Sequence, residues 1–232
     1  MNKFLTDPRS FWENKILQWE NSRYHYLSKK QSPIEKIAGL LSHSLRFRMD
    51  IAKKLIIPHI KGKRIVEFGC GSGILAEDFI QAGAEEYIGF DIAESAIQSA
   101  RKKFDSSRYA SKIKFERSDI LSDLKSLETD LVISLGLFDW FMKNEIELLF
   151  SKTRGIDFLH SISEKRMWSL QQIIHRFYVY ISYGYKTRSY MPKYYNIEEI
   201  IKIAEPYFQK SINIYRNKKL SFGVFLTTLP LD

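Results

Sequence analysis

The sequence predicts an α/β protein built on a doubly wound, mostly parallel sheet of seven strands. Short β-rich runs alternate with helical stretches between residues 64 and 162, which is the pattern of repeated βαβ units. The first run ends in closely spaced glycines, Gly69 to Gly73, that indicate a tight turn from strand to helix. The last two runs are joined by a short Lys-rich turn, so we expect them to form an antiparallel hairpin.

The individual elements follow in chain order. Residues 8–60 are expected to be helical; Ser32 and Pro33 mark the start of a second helix there, and Pro58 ends it. The predicted strands cover residues 64–69, 87–91, 112–117, 130–135, 156–162, 211–215 and 221–227. The predicted helices cover residues 74–82, 95–104, 145–150, about 164–183 and 197–208. Right-handed crossovers between the parallel strands make the sheet doubly wound.

We expect an N-terminal helical cap, residues 1–60, and a main domain, residues 61–232, whose insertion at 161–195 contributes to the cap. The second half of this insertion is rich in tyrosine, and these rings are expected to line or cover a pocket. Apolar residues at helical spacing in its first half are expected to lie in the core: Leu170, Ile173, Ile174, Phe177 and Ile181.

Charge is distributed unevenly along the 232 residues, which carry a formal net charge of +9. Residues 1–63 hold 13 Lys and Arg against 5 Asp and Glu, and residues 161–232 hold 11 against 5. Residues 64–160 hold 12 against 17, so the middle is acidic and both flanks are basic. This distribution argues against a uniformly basic nucleic-acid binder and favours an anionic partner for the flanks.

Several classes of protein are excluded by composition. The single cysteine excludes a disulfide framework, and the five histidines show no metal-ligand spacing, so no metal is expected. The sequence has no apolar run near the ~20 residues that span a bilayer, and its start lacks the apolar region of a signal peptide. We therefore expect a basic protein of the cytoplasm.

The residues that carry chemistry begin with the segment Glu67-Phe-Gly-Cys-Gly-Ser-Gly73. The glycines allow a close backbone approach to a ligand, and Asp91 ends the next strand, where an acid can accept hydrogen bonds from a ribose diol. A dinucleotide fingerprint would need Gly or Ala at position 74, which is Ile74 here. A carboxylate at Glu67 suits a ligand with a positive group, such as the ammonium and sulfonium of S-adenosyl-L-methionine (SAM).

This pattern resembles the class I SAM-dependent methyltransferases, which have a Rossmann-like fold. The segment from Glu67 to Gly73 is similar to their first motif and Gly89-Phe-Asp91-Ile to their second. Ser118-Asp-Ile120 is similar to the third, residues 130–137 to the fourth strand, and the final hairpin to their antiparallel last strands. The segment around Arg48 also resembles the ubiquinone-biosynthesis O-methyltransferases, in which an arginine meets the SAM carboxylate.

The resemblance implies a set of SAM-binding residues. The methionine part would be held by Glu67, Gly69, Cys70, Gly71 and Gly73, with Arg48 at its carboxylate. Cys70 is expected to contribute only its backbone. The ribose would bind Asp91, the adenine would bind Ile92, Asp119 and Ile120, and the sulfonium would lie beside Leu135 and Gly136.

Two residues are expected to act at the methyl acceptor. Asp139 follows the fourth strand and is a candidate general base or ammonium-binding group, with a helix cap as the alternative. His160 ends the fifth strand and is the second candidate, with a structural role as the alternative. The chain lacks a histidine at residues 137–140 and the Asn/Asp-Pro-Pro-aromatic signature of many amide and base methyltransferases.

The sequence thus predicts a SAM-dependent methyltransferase that acts on an O or N nucleophile of a small molecule, which the basic flanks suggest is anionic. The alternatives are an RNA or protein methyltransferase that uses the basic flanks, and a catalytically silent SAM-binding partner protein. Nucleic acid is the less favoured partner, because no recognisable RNA-binding motif is present. The sequence does not indicate the oligomeric state.

Overall fold

The strands form one mixed sheet. The computed structural model describes residues 7–24, 47–166, 169–180 and 190–231. The seven strands are β1 Arg64–Phe68, β2 Glu86–Asp91, β3 Ile113–Arg117, β4 Leu131–Leu135, β5 Asp157–Ser163, β6 Asn213–Arg216 and β7 Gly223–Thr227. Their order is β3-β2-β1-β4-β5-β7-β6. The first five are parallel, and β7 is antiparallel to both β5 and β6, which confirms the predicted fold class.

Helices pack on both faces of this sheet. They are α1 Pro8–Tyr24, α2 at residues 47–56, α3 Ala76–Gln81, α4 Glu94–Phe104, α5 Lys143–Lys152, α6 Leu170–Val179 and α7 Ile197–Ala204. Side chains alternate along β1, so Ile65 packs with α2, α3 and α4, whereas Val66 packs with α5 and α7. Within the described ranges, no helix is both long and apolar enough to cross a membrane.

The N-terminal part is described only in pieces. The predicted helix start at Ser32 and Pro33 lies outside the described residues, whereas residues 47–56 are helical. Pro58 follows in a 3-10 turn, Ile57–His59, that leads into β1, as expected for a residue without a backbone donor.

The insertion differs from the prediction in two ways. Helix α6 begins at Leu170, because Ser169 caps it by accepting a hydrogen bond from Gln172 N–H at 3.3 Å. The residues expected in the core are instead exposed, at 58% for Ile173, 47% for Ile174 and 66% for Phe177. The helical period is therefore real, but the prediction that this face is buried is wrong for these side chains. Ile181 and the side chain of Leu170 lie outside the described part.

Candidate active site

A cavity of about 270 Å³ opens at the edge of the sheet where the parallel strands end. Its β2/β3 half is lined by residues at or just after the ends of β1, β2 and β3, namely Gly69, Asp91, Ile92, Ser118, Asp119, Ile120 and Leu121. Its β5/β7 half is lined by Arg48, Asp139, Ser163, His175, Ser221 and Phe222. Leu135, Gly136 and Leu137 come from the end of β4 and lie between the two halves.

The glycine-rich turn after β1 forms part of the cavity floor. Gly69, Gly71 and Gly73 have φ angles of 70°, 54° and 70°, which favour glycine. The N–H groups of Gly69 and Cys70 donate to the Phe90 carbonyl at 2.8 and 3.0 Å, so the turn is tied to the end of β2. Of the turn, Gly69 lines the cavity, whereas Cys70 is buried with its sulfur packed over Gly89.

Asp91 connects this turn to the start of α4. Its carboxylate accepts hydrogen bonds from Gly71 N–H and Ala93 N–H, both at 2.9 Å, with one bond to each oxygen. Each oxygen keeps a further lone pair, so the carboxylate can also accept two hydroxyl groups. Burial raises the pKa of Asp91, although the backbone hydrogen bonds oppose that shift. An uncharged diol is therefore a suitable partner for this carboxylate.

Glu67 lies below the turn rather than in the described wall of the cavity. It is buried and accepts a hydrogen bond from the hydroxyl of Tyr87, which is fully buried on β2. Burial raises the pKa of Tyr87, and the neighbouring Glu67 carboxylate raises it further. The pair therefore fixes β1 against β2 under the turn, and a direct contact between Glu67 and a ligand stays a prediction.

Arg48 reaches from α2 into the floor of the β5/β7 half. A Cβ atom added to Gly136 would lie 2.7 Å from its Nη1, and one added to Gly223 would lie 3.5 Å from its Nη2. The guanidinium is therefore accommodated by two glycines, one after β4 and one at the start of β7. This places a fixed positive charge next to the junction of the two halves.

Asp139 is a buried anchor in the same half. Its carboxylate accepts hydrogen bonds from Ser163 N–H at 2.7 Å and from Ser163 Oγ–H at 2.8 Å. Burial raises the pKa of Asp139, and the positive charge of Arg48 opposes the shift. The side chain lines the cavity, but it also ties the turn after β4 to the end of β5.

His160 does not face the cavity, so the prediction that it meets the acceptor is wrong. Its side chain points into the core beside α5, where the ring stacks on Phe138 and Phe158 at 4.3 and 5.0 Å between centroids. Nδ1 shares a hydrogen bond of 2.9 Å with Ser134 Oγ. Burial lowers the pKa of His160 to about 3, so the ring is neutral and structural.

Aromatic side chains from three segments form one cluster, which we call the aromatic roof: Phe11, Trp12, Trp140 and Tyr190. The last three line the cavity, and Phe11 packs behind them. The ring centroids of Trp12 and Trp140 are 4.8 Å apart, and those of Trp140 and Tyr190 are 4.9 Å apart. Trp12 Nε1–H donates to the Tyr190 hydroxyl at 2.9 Å. Helix α1 is thereby joined to the segment before α7 across the cavity.

Glu13 attaches this roof to the main domain. Helix α4 has no side-chain cap of its own at Ala93. The Glu13 carboxylate supplies the cap from α1, since it accepts hydrogen bonds from Glu94 N–H at 2.7 Å and Ser95 N–H at 2.9 Å. The first amide bound by Glu13, that of Glu94, lies three residues after Asp91. The aromatic roof and the Asp91 carboxylate are therefore both attached to the N-terminal end of α4.

Replacing Glu13 by alanine should lower the free energy of unfolding by about 1 kcal/mol through loss of this cap. It should also increase hydrogen exchange in α1, because the roof loses its attachment. Glu13→Gln keeps one accepting oxygen and should lie between alanine and wild type. Exchange in α1 that is identical in all three proteins would contradict a fastening role for Glu13.

His175 is the residue of the β5/β7 half that sequence reasoning missed. It lines the cavity from α6, and its Nδ1 shares a hydrogen bond of 2.5 Å with the hydroxyl of Tyr194. Phe222 packs on the His175 ring at 4.9 Å and on the Tyr194 ring at 5.4 Å. The signal in the sequence is weak, since His175 stands next to Arg176 and follows Ile173 and Ile174 in a helical stretch that also holds two glutamines.

The sheet order is that of the Rossmann-like methyltransferase fold, and the glycine turn and Asp91 lie where the sequence places the first and second motifs of the class I SAM-dependent methyltransferases. Residues 65–156 match the family described as methyltransferase domain, and the cofactor of such a domain is SAM. Asp119, Ile120, Leu135 and Gly136 all lie in the cavity lining, although their individual contacts with SAM stay predictions. The ubiquinone-biosynthesis similarity around Arg48 also stays a prediction.

Solved structures with this fold cover nearly the whole chain. Magnesium protoporphyrin IX methyltransferase from Synechocystis PCC 6803 with bound SAH matches at 18% identity and TM-score 0.65, over 94% of this chain and 96% of that one. Phosphoethanolamine N-methyltransferase 2 from Haemonchus contortus with SAM matches at 15% identity and TM-score 0.63, over 93% of this chain and 47% of that one. At these identities the similarity shows the fold alone.

Curated relatives match over a shorter segment. Ribosomal protein L11 methyltransferase of Tolumonas auensis is 55% identical over 42 residues, which are 18% of this chain and 14% of that protein. The same protein of Haemophilus influenzae is 37% identical over 76 residues, 32% of this chain and 25% of that protein. The chain thus matches about a seventh to a quarter of the length of these relatives.

Proposed function

We propose that this protein transfers a methyl group from SAM to a small molecule held in the β5/β7 half of the cavity. One observation carries the proposal: a single cavity runs from Asp91 and Asp119, past Gly136, to His175 and Phe222. Donor and acceptor would therefore meet beside β4. We therefore call the β5/β7 half of the cavity the acceptor half and the β2/β3 half the cofactor half.

The residues of the cofactor half suit SAM. Asp91 can accept the ribose hydroxyls, and Asp119, Ile92 and Ile120 offer a polar edge and apolar faces for the adenine. The Arg48 guanidinium beside Gly136 is suitably placed for the carboxylate of the methionine part. SAM supplies an electrophilic methyl group on a sulfonium.

The start of α4 is unsuited to bind a phosphate group. Helix N-termini bind phosphate through unpaired N–H groups. Here the N–H groups of Ala93, Glu94 and Ser95 are bonded to the carboxylates of Asp91 and Glu13. A phosphate at this helix end would meet two negative charges and no available donor among these three amides, whereas the adenosine of SAM carries no phosphate.

The contribution of the protein to methyl transfer would be positioning and exclusion of water. Trp12, Trp140 and Tyr190 of the aromatic roof line the cavity with large, mostly apolar ring surfaces that leave less room for water. Gly136 and Leu137 form the surface where donor and acceptor meet, and Asp139 holds that turn through Ser163. Holding the nucleophile in line with the methyl group supplies most of the rate gain in a reaction of this kind.

The cavity favours a small acceptor over RNA or protein, because Trp12 and Tyr190 lie across it. Its described lining contains the carboxylates of Asp91, Asp119, Asp139 and Glu145 against the guanidinium of Arg48. The basic excess of the flanks is thus not found in the described wall. An anionic acceptor stays a prediction that rests on sequence charge.

Binding of SAM tests this proposal directly. Isothermal titration should detect SAM and S-adenosylhomocysteine, and both should raise the melting temperature. Asp91→Ala should weaken binding by about 100-fold or more, since it removes a charged acceptor of two ribose hydrogen bonds. Asp105→Ala, at an exposed aspartate after α4, is the matched control and should bind as wild type does. Absence of SAM binding by the wild-type protein would reject the function.

A further inference from the structure

Ser221, in the turn before β7, has a backbone conformation that normally belongs to glycine. Its φ is 57° and its ψ is −107°, close to the angles of the first central position of a type II′ turn. No other described residue except glycine has a positive φ. At these angles the Cβ of an L-residue is crowded by the backbone, so glycine would form the turn with less strain. The serine side chain is therefore present against a backbone preference.

The fold itself makes no use of the Ser221 hydroxyl. This hydroxyl forms no hydrogen bond with any residue that the structure describes, and the half-buried side chain lies in the wall of the acceptor half. Backbone strain that the local structure does not require is typical of positions that bind a ligand. The Ser221 hydroxyl is thus available to a molecule in the cavity.

Arg48 supplies a positive charge to the same wall. Its Nη2 is near Gly223, two residues after Ser221, where an added Cβ would lie 3.5 Å away. Within the described part of the chain the guanidinium makes no ion pair and no hydrogen bond, although Asp139 lies close enough to be affected by its charge. No described side-chain nitrogen is both buried and unbonded, so the N–H groups of Arg48 are open to the cavity that it lines.

A hydroxyl and a guanidinium on one wall suit an anionic oxygen group. A guanidinium binds a carboxylate or a phosphate through two parallel hydrogen bonds, and a hydroxyl can donate a third. The charge of the cavity favours the carboxylate, because the described lining already holds four carboxylates against the one cation of Arg48. A dianionic phosphate would bring a second negative charge that no described lining residue balances, whereas a carboxylate brings one.

On the basis of the proposed function, we propose that Ser221 and Arg48 form a binding subsite for a carboxylate, in which the strained serine supplies the second donor. The carboxylate belongs either to the methionine part of SAM, which would approach from the side of Gly136, or to the methyl acceptor in the acceptor half. In both cases the Ser221 hydroxyl donates to one carboxylate oxygen while the guanidinium binds the group. The subsite orients its ligand and takes no part in bond breaking.

Two substitutions of Ser221 separate the strain from the contact. Ser221→Gly removes both the strain and the hydroxyl, and its melting temperature should exceed that of wild type by about 2 °C or more. Ser221→Ala removes the hydroxyl and keeps the strained backbone, so it should melt near wild type. Ser106→Gly, at an exposed turn after α4, is the matched control and should not raise the melting temperature. A Ser221→Gly protein that melts at or below wild type would contradict the strain.

Titration calorimetry of the full-length protein tests the contact and identifies the source of the carboxylate. The first pair of probes is S-adenosylhomocysteine and 5′-methylthioadenosine, which is the same adenosine thioether without the amino-acid part. If the subsite takes the cofactor carboxylate, both Ser221 variants and Arg48→Gln should bind S-adenosylhomocysteine about tenfold more weakly. Their affinity for 5′-methylthioadenosine should match that of wild type, and Ser106→Ala should match wild type for both probes.

The second pair of probes is acetate and benzoate, titrated into protein saturated with S-adenosylhomocysteine. If the subsite takes a carboxylate of the acceptor, affinity for S-adenosylhomocysteine should be unchanged in the Ser221 variants. Wild type should then bind at least one of the two carboxylates, and both Ser221 variants should bind it about tenfold more weakly. Inorganic phosphate should not displace it.

The outcomes are distinct. Equal losses for S-adenosylhomocysteine and 5′-methylthioadenosine would show that Ser221 only shapes the turn, and they would overturn the subsite. Unchanged affinity for S-adenosylhomocysteine, together with no binding of acetate or benzoate that depends on Ser221, would overturn it as well. If wild type does not bind S-adenosylhomocysteine, the proposed function is rejected, and titration of the two carboxylates into the free protein decides on the subsite alone. Because Ser221→Gly is expected to be the more stable protein, its loss of binding could not be ascribed to misfolding.

Discussion

Replacing Gly73 by alanine is expected to lower the free energy of unfolding by about 3 kcal/mol. The backbone at Gly73 has a φ of +70°, which costs an L-residue about 1–2 kcal/mol. In addition, the new Cβ would lie 2.4 Å from Cζ of Phe115, a buried ring packed between Tyr87 and Phe104. Relieving that clash in a close-packed core costs about 1–3 kcal/mol more.

Gly62 offers a matched control for the backbone part of this cost. Its φ is +71°, and a Cβ there would meet nothing within 4 Å. Gly62→Ala should therefore cost about 1–2 kcal/mol, and the difference between the two variants, measured by chemical denaturation, isolates the contact with Phe115. The glycine turn should also shift in Gly73→Ala and weaken SAM binding by about tenfold.

A double-mutant cycle makes the mechanism testable. In the Phe115→Leu background the cost of Gly73→Ala should fall by about 1 kcal/mol or more, because the shorter side chain leaves room for the methyl group. Equal costs at Gly73 and Gly62 would show that the Phe115 ring moves freely. That result would contradict a rigid packing of the turn against β3.

The sheet could be predicted because its signals are local. Each strand is a short β-rich run, and the turn from Gly69 to Gly73 and the acid at Asp91 are adjacent in sequence to the strands that they follow. The seven predicted strands all appear, with ends that differ by one or two residues. Helix α3 begins at Ala76 instead of residue 74, because the last glycine keeps residues 71–75 in turns.

The cap and the acceptor half could not be predicted in the same way, because they depend on contacts between distant residues. Glu13 caps a helix that begins 81 residues later, and Trp12 bonds Tyr190 across 178 residues. No local pattern in the sequence distinguishes Glu13 from a solvated glutamate. The contacts of His175 with Tyr194 and Phe222 likewise join residues from separate segments of the chain.

His160 shows the opposite error, in which a suggestive residue is structural. It was a candidate because it ends a parallel strand, and strand ends carry catalytic residues in this fold class. Side chains alternate along β5, however, and the His160 ring packs on the face covered by α5, against Phe138 and Phe150. Ser161 is on the opposite face, where its hydroxyl accepts a hydrogen bond from Gly136 N–H at 2.7 Å. Because β5 extends to Ser163, His160 also lies in the middle of the strand rather than at its end, and Ser163 is the β5 residue that reaches the cavity.

The buried imidazole of His160 should make stability depend on pH. Burial lowers its folded-state pKa from 6.5 to about 3, so the unfolded chain binds the proton more readily than the folded protein does. The contribution is fully present above pH 6.5 and is lost as the pH falls towards 3. Asp91 and Asp139 have raised pKa values and act in the opposite direction, so the contribution of His160 must be measured as a difference between variants.

Comparison of wild type with His160→Gln isolates this contribution, because the amide can still bond Ser134 but does not titrate. We expect wild type to lose about 2 kcal/mol more than the variant between about pH 7 and pH 5, at 1.36 kcal/mol per unit of pKa shift. Urea denaturation at each pH gives the free energies of unfolding. His59→Gln is the control for removing a histidine elsewhere, in the turn after α2.

His160→Gln should be less stable than wild type at neutral pH, since it loses the stacking on Phe138 and Phe158. The curves of unfolding free energy against pH for the two proteins should therefore converge on acidification. Parallel curves would mean that the ring accepts a proton inside the folded protein, and the buried, neutral state described for it would then be incorrect.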